Sequence, residues 1–417
     1  MLPIPSGSES AGITTYREPP TRIPARATLT NGSEFLSPIA NVNGMPRFIE
    51  LASSFFAELQ TRYWIVTLSP SSRSGPWPSR RSTVTTDALV APLGTIAIPA
   101  RSEMRSMTGV SLGTMHRAGV MLVGSANIDL VVRTRRFPLP GETLQGSEFR
   151  TFAGGKGANQ AAAVGRLGGL AQLLAKVGAD AFGDQVIASL TACGVGTSFV
   201  LRDPIEATGV ALITVDEHGQ NTIVVAPGTN SLLTASEVRA ACSAAEFSVL
   251  LAQLEIPLEC VLEANHQAGE RTFILNPAPA RVVPPELLSR VDYLTPNETE
   301  AEILTGILPT DTQSCLAAAM ILLDKGVQNV LFTLGAQGSF LANAEGGRHF
   351  PSIEVDPVDT TGAGDAFNGA FAHLLASGEP VDWCIHLANI AGALSTTKPG
   401  AQASMPTLAE VLDRAAR

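Results

Sequence analysis

The 417-residue sequence lacks the long hydrophobic runs that membrane proteins need. No stretch of about 18 consecutive apolar residues occurs, so we expect no membrane-spanning helix. The first 20 residues also lack a basic segment followed by an apolar one, which argues against a secretory signal. An excess of positive charge is missing too. The net charge is −10, which argues against nucleic acid as a partner.

Cysteine is sparse and is not arranged in pairs. The five cysteines form no CxxC pair and no metal-binding spacing: Cys193, Cys242, Cys260, Cys315 and Cys384. Their odd number argues against a disulfide framework. A reducing compartment fits this pattern best, and we therefore expect a cytoplasmic protein.

Lysine is absent from residues 1–118, which hold 11 arginines and seven acidic residues and are rich in Ser, Thr and Pro. Such a composition rarely forms a compact domain, so residues 1–117 are predicted to be a low-complexity, disordered leader. One amphipathic helix over residues 47–59 is the only element that the pattern indicates there. Residues 118–417 are predicted to form the folded domain.

Three interpretations of this leader stay open: a disordered segment, an organelle transit peptide, or sequence upstream of the true start codon. Its arginine and serine content suits a transit peptide, whereas Glu9 and Glu18 count against one. Met107, Met115 and Met121 are alternative starts just before the regular pattern begins. Organelle import through residues 1–117 is thus the alternative to a cytoplasmic location.

From Gly119 onward, apolar strand-like segments alternate with helical ones. This alternation predicts an α/β fold with a doubly wound, mostly parallel sheet flanked by helices. Ligands of such folds bind outside the carboxyl ends of the strands. Polar residues fall at those predicted ends: Asn127, Asp129, Glu255, Asn276, Asn297 and Thr333.

A different texture predicts a small second sheet. The segment "TGVALITVDEHGQNTIVVAPG" alternates apolar and polar residues on both sides of His218–Gly219, which indicates a β-hairpin with one solvated face. Together with residues 130–152, the hairpin at 207–228 is predicted to form a β-sheet lid that closes over a site.

Two glycine-rich or polar segments lie at the start of the domain. In "GGKGANQAAA", Gly157 follows Lys156 where a P-loop requires Ser or Thr, so the segment is not a P-loop. Its backbone N–H groups and Asn159 suit a small-molecule contact, and a tight turn is the alternative. In "VGSANID", Asn127 and Asp129 suit the paired hydroxyls of a sugar, and a strand-end turn is the alternative.

Two further segments have a dual interpretation. In "TPNETEAE", Thr295 or Asn297 caps a helix whose first turn holds Glu298 and Glu300. Either these residues only stabilise the helix, or Asn297 and Glu300 organise a nucleotide phosphate and its Mg²⁺ through water. The loop "TLGAQGS" lines a nucleotide or is only a turn.

The segment "VDTTGAGDAFNG" combines glycines with a helix start. Gly362, Ala363 and Gly364 leave little side chain between backbone N–H groups and a ligand, which predicts an anion hole for phosphate. Asp365 in the same first turn is placed to take a proton from an attacking hydroxyl. Helix capping by Asp365 and a turn at Asp359 are the alternative.

Six segments occur in the order and spacing of one known family: "GGKGAN", "NPAPA", "TPNETEAE", "TLGAQGS", "DTTGAGDAFNGA" and "KPGAQASMP". From about residue 118 to the C-terminus the chain resembles the PfkB carbohydrate kinase family, and within it the ribokinase group most closely. The resemblance implies a ribokinase-like fold with a β-sheet lid that often pairs with a second subunit, hence a homodimer. It implies ATP-dependent phosphorylation of D-ribose at the 5-hydroxyl.

The resemblance also implies residue roles. Asp365 is the implied general base, and Gly362, Ala363 and Gly364 form the implied anion hole. The implied sugar ligands are Asn127, Ile128, Asp129, Gly155, Lys156, Gly157, Ala158, Asn159, Glu255 and Asp365. The implied nucleotide ligands are Asn297, Thr333, Leu334, Gly335, Ala336, Gln337, Gly338, Gly364, Asp365 and Asn389. Glu300 is the implied Mg²⁺-associated carboxylate. The implied K⁺ ligands are Asp359, Thr361, Ser395, Lys398, Gly400 and Ser404.

Pro399 departs from the pattern expected of the cation loop. Proline fixes φ and removes a donor, yet its carbonyl oxygen is retained, so the departure concerns cation affinity more than catalysis. Two alternatives to a ribose kinase stay open: another PfkB sugar or nucleoside kinase, and a non-catalytic sugar- or nucleotide-sensing protein on the same fold. The second requires a lost base or a broken anion hole, and "GAGD" is intact.

Overall fold

The computed structural model describes residues 119–417. Their strands are β1 Val120–Val123, β2 Asn127–Arg133, β3 Glu148–Gly154, β4 Ala171–Gly178, β5 Val200–Asp203, β6 Gly209–Val215, β7 Asn221–Ala226, β8 Val249–Ala252, β9 Thr272–Leu275, β10 Tyr293–Leu294, β11 Asn329–Thr333, β12 Ser339–Asn343 and β13 Gly346–Phe350. Their helices are α1 Lys156–Arg166, α2 Ala181–Ala192, α3 Ala235–Ala244, α4 Leu258–Ala268, α5 Pro285–Leu288, α6 Glu298–Thr305, α7 Thr312–Leu323, α8 Ala363–Ala376, α9 Val381–Ser395 and α10 Leu408–Ala415.

Nine strands form the large sheet in the order β13-β12-β11-β10-β9-β8-β1-β4-β5. The pairs from β5 to β11 are parallel, while β12 and β13 add an antiparallel edge. Strand β1 lies between β4 and β8, and the chain fills the sheet outward from it in both directions. Such a reversal of strand order opens a crevice at the carboxyl ends of the central strands.

Helices cover both faces of this sheet, because successive side chains of β1 enter different cores. Val120 and Leu122 pack with residues of α1, α2, α8 and α9, whereas Met121 and Val123 pack with residues of α3 to α7. All four β1 residues are buried, as expected for a central parallel strand without a solvated face. The predicted α/β fold with a doubly wound, mostly parallel sheet is confirmed.

Four strands form a separate sheet in the order β3-β2-β6-β7, with β2 and β6 parallel and the outer pairs antiparallel. The predicted hairpin is present: Asp216 accepts the N–H groups of His218 and Gln220, and Gly219 has a φ of 77°. Strand β2 begins at Asn127, three residues before the predicted lid segment. We call this four-stranded sheet the lid.

The predicted leader at residues 1–117 and its helix at residues 47–59 lie outside the described residues. Within residues 119–417, the structure contains no helix of the length and apolarity that crossing a membrane requires.

Candidate active site

The predicted site residues lie where the central strands end and two helices begin. Ser125 follows β1, Glu255 follows β8 and Asn276 follows β9, while α1 and α8 start beside them. A close approach joins the two helices, because a Cβ added at Gly369 of α8 would lie 2.5 Å from the carbonyl oxygen of Gln160 in α1. This contact places the second turn of α1 against the second turn of α8.

Asp365 is a buried carboxylate that is held through both of its oxygens. It is the third residue of α8 and is 7% exposed. Its Oδ2 accepts a hydrogen bond from Nδ2 of Asn159 at 2.9 Å, and its Oδ1 accepts one from Nε2 of Gln160 at 3.0 Å. Burial raises the pKa of Asp365, although Lys156 and these two amides act in the opposite direction. A raised pKa makes this carboxylate a stronger base than an exposed aspartate.

The first turn of α8 is open toward a cavity. Gly362 caps the helix with a φ of 79°, a left-handed conformation that glycine adopts without strain. A Cβ added at Gly364 would meet no heavy atom within 4 Å. Because the first N–H groups of a helix have no acceptor within it, this opening exposes donors to a ligand. The geometry suits an anion hole beside Asp365.

Asn127 and Asp129 occupy alternate positions of β2 and therefore share one face of the lid sheet. Burial raises the pKa of Asp129 to about 7, and the carboxylates of Glu255 and Asp365 act in the same direction. A side chain at Gly154 would collide with the Asp129 carboxylate, so glycine at that position makes room for it.

Lys156 and Glu255 lie between the predicted sugar ligands and Asp365. Oε2 of Glu255 accepts hydrogen bonds from Oγ of Ser125 at 2.5 Å and from the N–H of Lys156 at 3.1 Å. Burial lowers the pKa of Lys156, but Asp365, Glu255 and Glu300 outweigh this and raise it overall. The lysine therefore stays charged among several carboxylates.

Not every predicted sugar ligand has its side chain on the side of Asp129 and Asp365. The side chain of Ile128 is fully buried in the core. Gly157 fits because its Cα packs directly against the backbone of Gly124, where any side chain would collide. Ile128 and Gly157 therefore support the site through packing.

A cavity of about 860 Å³ opens beside the start of α8. Among the predicted nucleotide ligands, those on its wall are Asn297, Thr333, Gly335, Ala336, Gly338, Gly364, Asp365 and Asn389. Leu334 is buried, and Gln337 is not on the wall. A second cavity of about 370 Å³ lies between the lid and residues 357–361, and Pro357 and Thr360 line both cavities.

Glu300 fits an outer role toward a divalent cation. Its Oε2 accepts the N–H of Asn297 at 3.0 Å in a capping box, so the predicted helix cap is also present. Burial raises the pKa of Glu300, against the Asn297 hydrogen bond and the charge of Lys156. Residues 119–417 contain no cluster of three or more Asp, Glu, His or Cys that would hold a metal alone. The donor set suits a metal carried mainly by substrate phosphates and water.

The predicted cation ligands lie on two loops joined through Asp359, except Ser395, which is the last residue of α9. Oδ1 and Oδ2 of Asp359 accept the N–H groups of Thr361 and Gly400, each at 2.9 Å. Burial would raise the pKa of Asp359, but these hydrogen bonds lower it overall, so the carboxylate is charged. The Lys398 side chain points elsewhere, to Glu410 at 2.9 Å, so only its backbone carbonyl is suited to a cation.

Four polar residues in this region were not predicted: Ser125, Gln160, Asn230 and Asn368. Asn230 donates to Oδ1 of Asn127 at 2.7 Å and thereby orients a predicted sugar ligand from 103 positions away. No local pattern signals such a contact. Gln160 stands next to Asn159 in "GANQ", and its position beside a predicted ligand near the start of the helix was the available signal.

A buried base, an open helix start and two adjoining cavities define a small-molecule phosphotransferase of the α/β class. The family described as pfkB family carbohydrate kinase matches residues 117–408. The chain belongs to this pfkB family.

Individual relatives agree with that assignment. The ribokinase of Haemophilus influenzae is 41% identical over 300 residues, which is 71% of this chain and 98% of that protein. The deoxyribokinase of Salmonella typhi is 38% identical over 294 residues, covering 69% and 96%. The structure of Arabidopsis thaliana ribokinase complexed with ribose and ATP matches with a TM-score of 0.67 at 32% identity, covering 72% and 98%.

The opening at Gly364 predicts a loss of activity without a loss of stability. Gly364→Ala places a methyl group in the anion hole, and turnover should fall by about 10²- to 10³-fold, as for a lost oxyanion donor. The thermal midpoint should stay unchanged because the methyl meets no protein atom. Steady-state kinetics and thermal unfolding measure the two effects.

Gly269→Ala is the matched control. Its Cβ also meets nothing within 4 Å, but Gly269 has a φ of 60° and lies at the end of α4. In this variant the free energy of unfolding should fall by about 1–2 kcal/mol, and turnover should stay at the wild-type rate. Normal turnover in Gly364→Ala would contradict the anion-hole assignment.

Proposed function

We propose that this chain transfers the γ-phosphoryl group of ATP to the 5-hydroxyl of D-ribose. The observation that carries the proposal is Asp365, buried and held through both oxygens, one residue from the open helix start at Gly364. A proton acceptor and an anion hole are therefore adjacent, between a cavity of nucleotide size and the sugar-side residues of β2. The relatives named ribokinase, and the one complexed with ribose and ATP, support the choice of substrates.

The proposed chemistry needs few groups. Asp365 accepts the proton of the sugar hydroxyl while the hydroxyl oxygen forms a bond to the γ-phosphorus. The bond between the γ-phosphorus and the bridging oxygen breaks, and ADP leaves with its electrons. The first N–H groups of α8 stabilise the charge on the transferring group. Asn127 and Asp129 bind sugar hydroxyls, and their contacts fix the acceptor for attack.

Two cations belong to the proposal. Glu300 would hold Mg²⁺ bound with ATP, and the metal would supply neutralisation of phosphate charge. K⁺ is proposed as an activator beside the anion hole, held by the loops of Asp359, Thr361, Ser395, Lys398, Gly400 and Ser404. The charged Asp359 carboxylate supports this site.

We also propose a homodimer through the lid. On the lid face opposite Asp129, three large apolar side chains are exposed: Phe149, Leu212 and Val224. Grouped exposed apolar residues of this kind are typical of interaction surfaces. A cytoplasmic location and a leader at residues 1–117 complete the proposal.

A second acceptor is favoured by one comparison. The Salmonella typhi relative is named deoxyribokinase and is nearly as similar as the ribokinases. Deoxyribose is therefore the competing substrate to measure first. Because the two sugars differ in one hydroxyl, their discrimination depends on whether a buried polar group is left unpaired.

An acceptor screen tests the proposed function. With Mg-ATP and K⁺, kcat/KM should be highest for D-ribose among ribose, deoxyribose, fructose and adenosine, with ribose 5-phosphate and ADP formed in equal amounts. A higher kcat/KM for deoxyribose would replace D-ribose with deoxyribose as the proposed acceptor. ATP turnover with none of these sugars or nucleosides would reject the proposal.

Loss of the base is tested by Asp365→Asn. The change keeps the shape of the side chain, and kcat should fall by about 10²- to 10⁴-fold, the range for general-base removal. Asp382→Asn is the control, because Asp382 also lies in a first helical turn, of α9, but pairs with the exposed Arg348. A rate near wild type in Asp365→Asn would refute the base assignment.

The cation site is tested by Asp359→Asn. Removing the charge should raise the K⁺ concentration for half-activation by about 10- to 100-fold, as for a disturbed metal site. The rate at saturating K⁺ should change little. Asp356→Asn, an exposed change in the same segment, should leave the K⁺ response unchanged. An equal K⁺ response in both variants would remove Asp359 from the site.

A further inference from the structure

A closed ring of buried hydrogen bonds lies beneath Asp365. Its members are side chains or carbonyls of Asp365, Gln160, Asn276, Thr295, Asn368 and Gly364. The four uncharged side chains of the ring are between 0% and 6% exposed. They come from α1, α8 and the ends of β9 and β10, so the ring joins four elements of the fold.

Gln160 is the member that reaches the base. Its Nε2 donates to Oδ1 of Asp365 at 3.0 Å and to Oδ1 of Asn276 at 3.1 Å. Its Oε1 accepts a hydrogen bond from Nε2 of Gln253. Rotating this amide by 180° would turn its oxygen toward two other oxygens, so its orientation is fixed.

The remaining bonds return to the anion hole. Nδ2 of Asn276 donates to the carbonyl of Thr295 at 3.0 Å, and Oγ1 of Thr295 donates to Oδ1 of Asn368 at 2.6 Å. Nδ2 of Asn368 donates to the carbonyl of Gly364 at 2.8 Å. Gly364 precedes Asp365, which closes the ring.

Gln160 differs from its neighbour Asn159 in one decisive respect. Oδ1 of Asn159 is buried and has no hydrogen-bond partner in the described residues. Both polar atoms of Gln160 are occupied by protein groups. Gln160 therefore has nothing left to offer a substrate.

We infer that Gln160 is a positioning residue: it fixes the direction of the Asp365 carboxylate relative to the anion hole without touching substrate. The inference rests on the proposed role of Asp365 as base. Misplacing a reacting group by about 1 Å costs up to about 10²-fold in rate, so a fixed carboxylate matters.

Gln160 also biases the protonation of Asp365. The charged groups that face this carboxylate are Lys156, Asp129, Glu255 and Glu300. Burial raises the pKa of Asp365, and the Gln160 hydrogen bond is one of the interactions that lower it. Removing that donor should raise the pKa further, so that the acid limb of kcat/KM moves to higher pH.

Gln160→Leu tests the inference. We expect kcat to fall about 10- to 100-fold, because Asp365 loses the amide that holds its carboxylate in place. The KM for ribose should stay within about threefold of wild type, because Gln160 does not contact substrate. The acid limb of kcat/KM should move to higher pH. Asn265→Leu is the control: Asn265 is a buried amide of α4, bonded to the carbonyl of Arg290, whose loss should lower stability without moving the limb.

Two further variants keep the test decisive. Gln160→Glu adds a carboxylate beside Asp365 and should move the acid limb further than Gln160→Leu. Gln160→Met fills similar volume with a flexible apolar chain and replaces the leucine variant if that variant does not fold. Folded variants whose kcat and acid limb both match those of wild type would overturn the inference.

A direct titration separates this inference from the proposed function. Aspartate-labelled protein is titrated by carboxyl ¹³C NMR, and the Asp365 signal is identified by its loss in Asp365→Asn. The signal should titrate at higher pH in Gln160→Leu, whether or not ribose is the acceptor. An unchanged Asp365 titration would overturn the inference, whereas absent ribose turnover in wild type would reject only the function.

Discussion

The close contact between α1 and α8 is the constraint on which the site depends. At Gly369 a Cβ would collide with the backbone of Gln160 and with Ala163, so only glycine lets the helices approach this far. The contact brings Asn159 and Gln160 within hydrogen-bond distance of Asp365. Four elements are then tied together by buried amides, each of which would cost free energy if its partner moved away.

The site concentrates negative charge around a single lysine. Asp365, Glu255 and Glu300 act on Lys156. Burial, together with Glu255 and Asp365, raises the pKa of the neighbouring Asp129 to about 7. This carboxyl favours the folded state most at acidic pH, below its ordinary value of 3.8, and that contribution is lost as pH rises through about 7. At neutral pH this buried carboxyl therefore reduces stability. In the proposed function, sugar hydroxyls that donate to these carboxylates would offset part of that cost.

Local signals carried most of what could be predicted. Apolar runs and their polar ends indicated the strands, and "GAGD" placed an acid and three small residues at a helix start, where the structure has them. The ring behind Asp365 could not be read in this way, because Gln160 and Asn276 are 116 positions apart. A local motif can also predict too many ligands. The loop motif marks six residues as nucleotide ligands, but Leu334 is buried and does not line the cavity, because backbone geometry decides which residues face it.

Strand β2 belongs both to the candidate site and to the lid. Its first residues, Asn127 and Asp129, reach the site, and its later residues pair with β3 and β6 in the lid out to Arg133. Strand β2 joins both parts as one paired strand of seven residues, so a displacement of the lid would also displace the residues proposed to bind sugar. Any partner that prefers one lid position must then change the affinity for sugar. By thermodynamic reciprocity, sugar must change the affinity for that partner by the same factor.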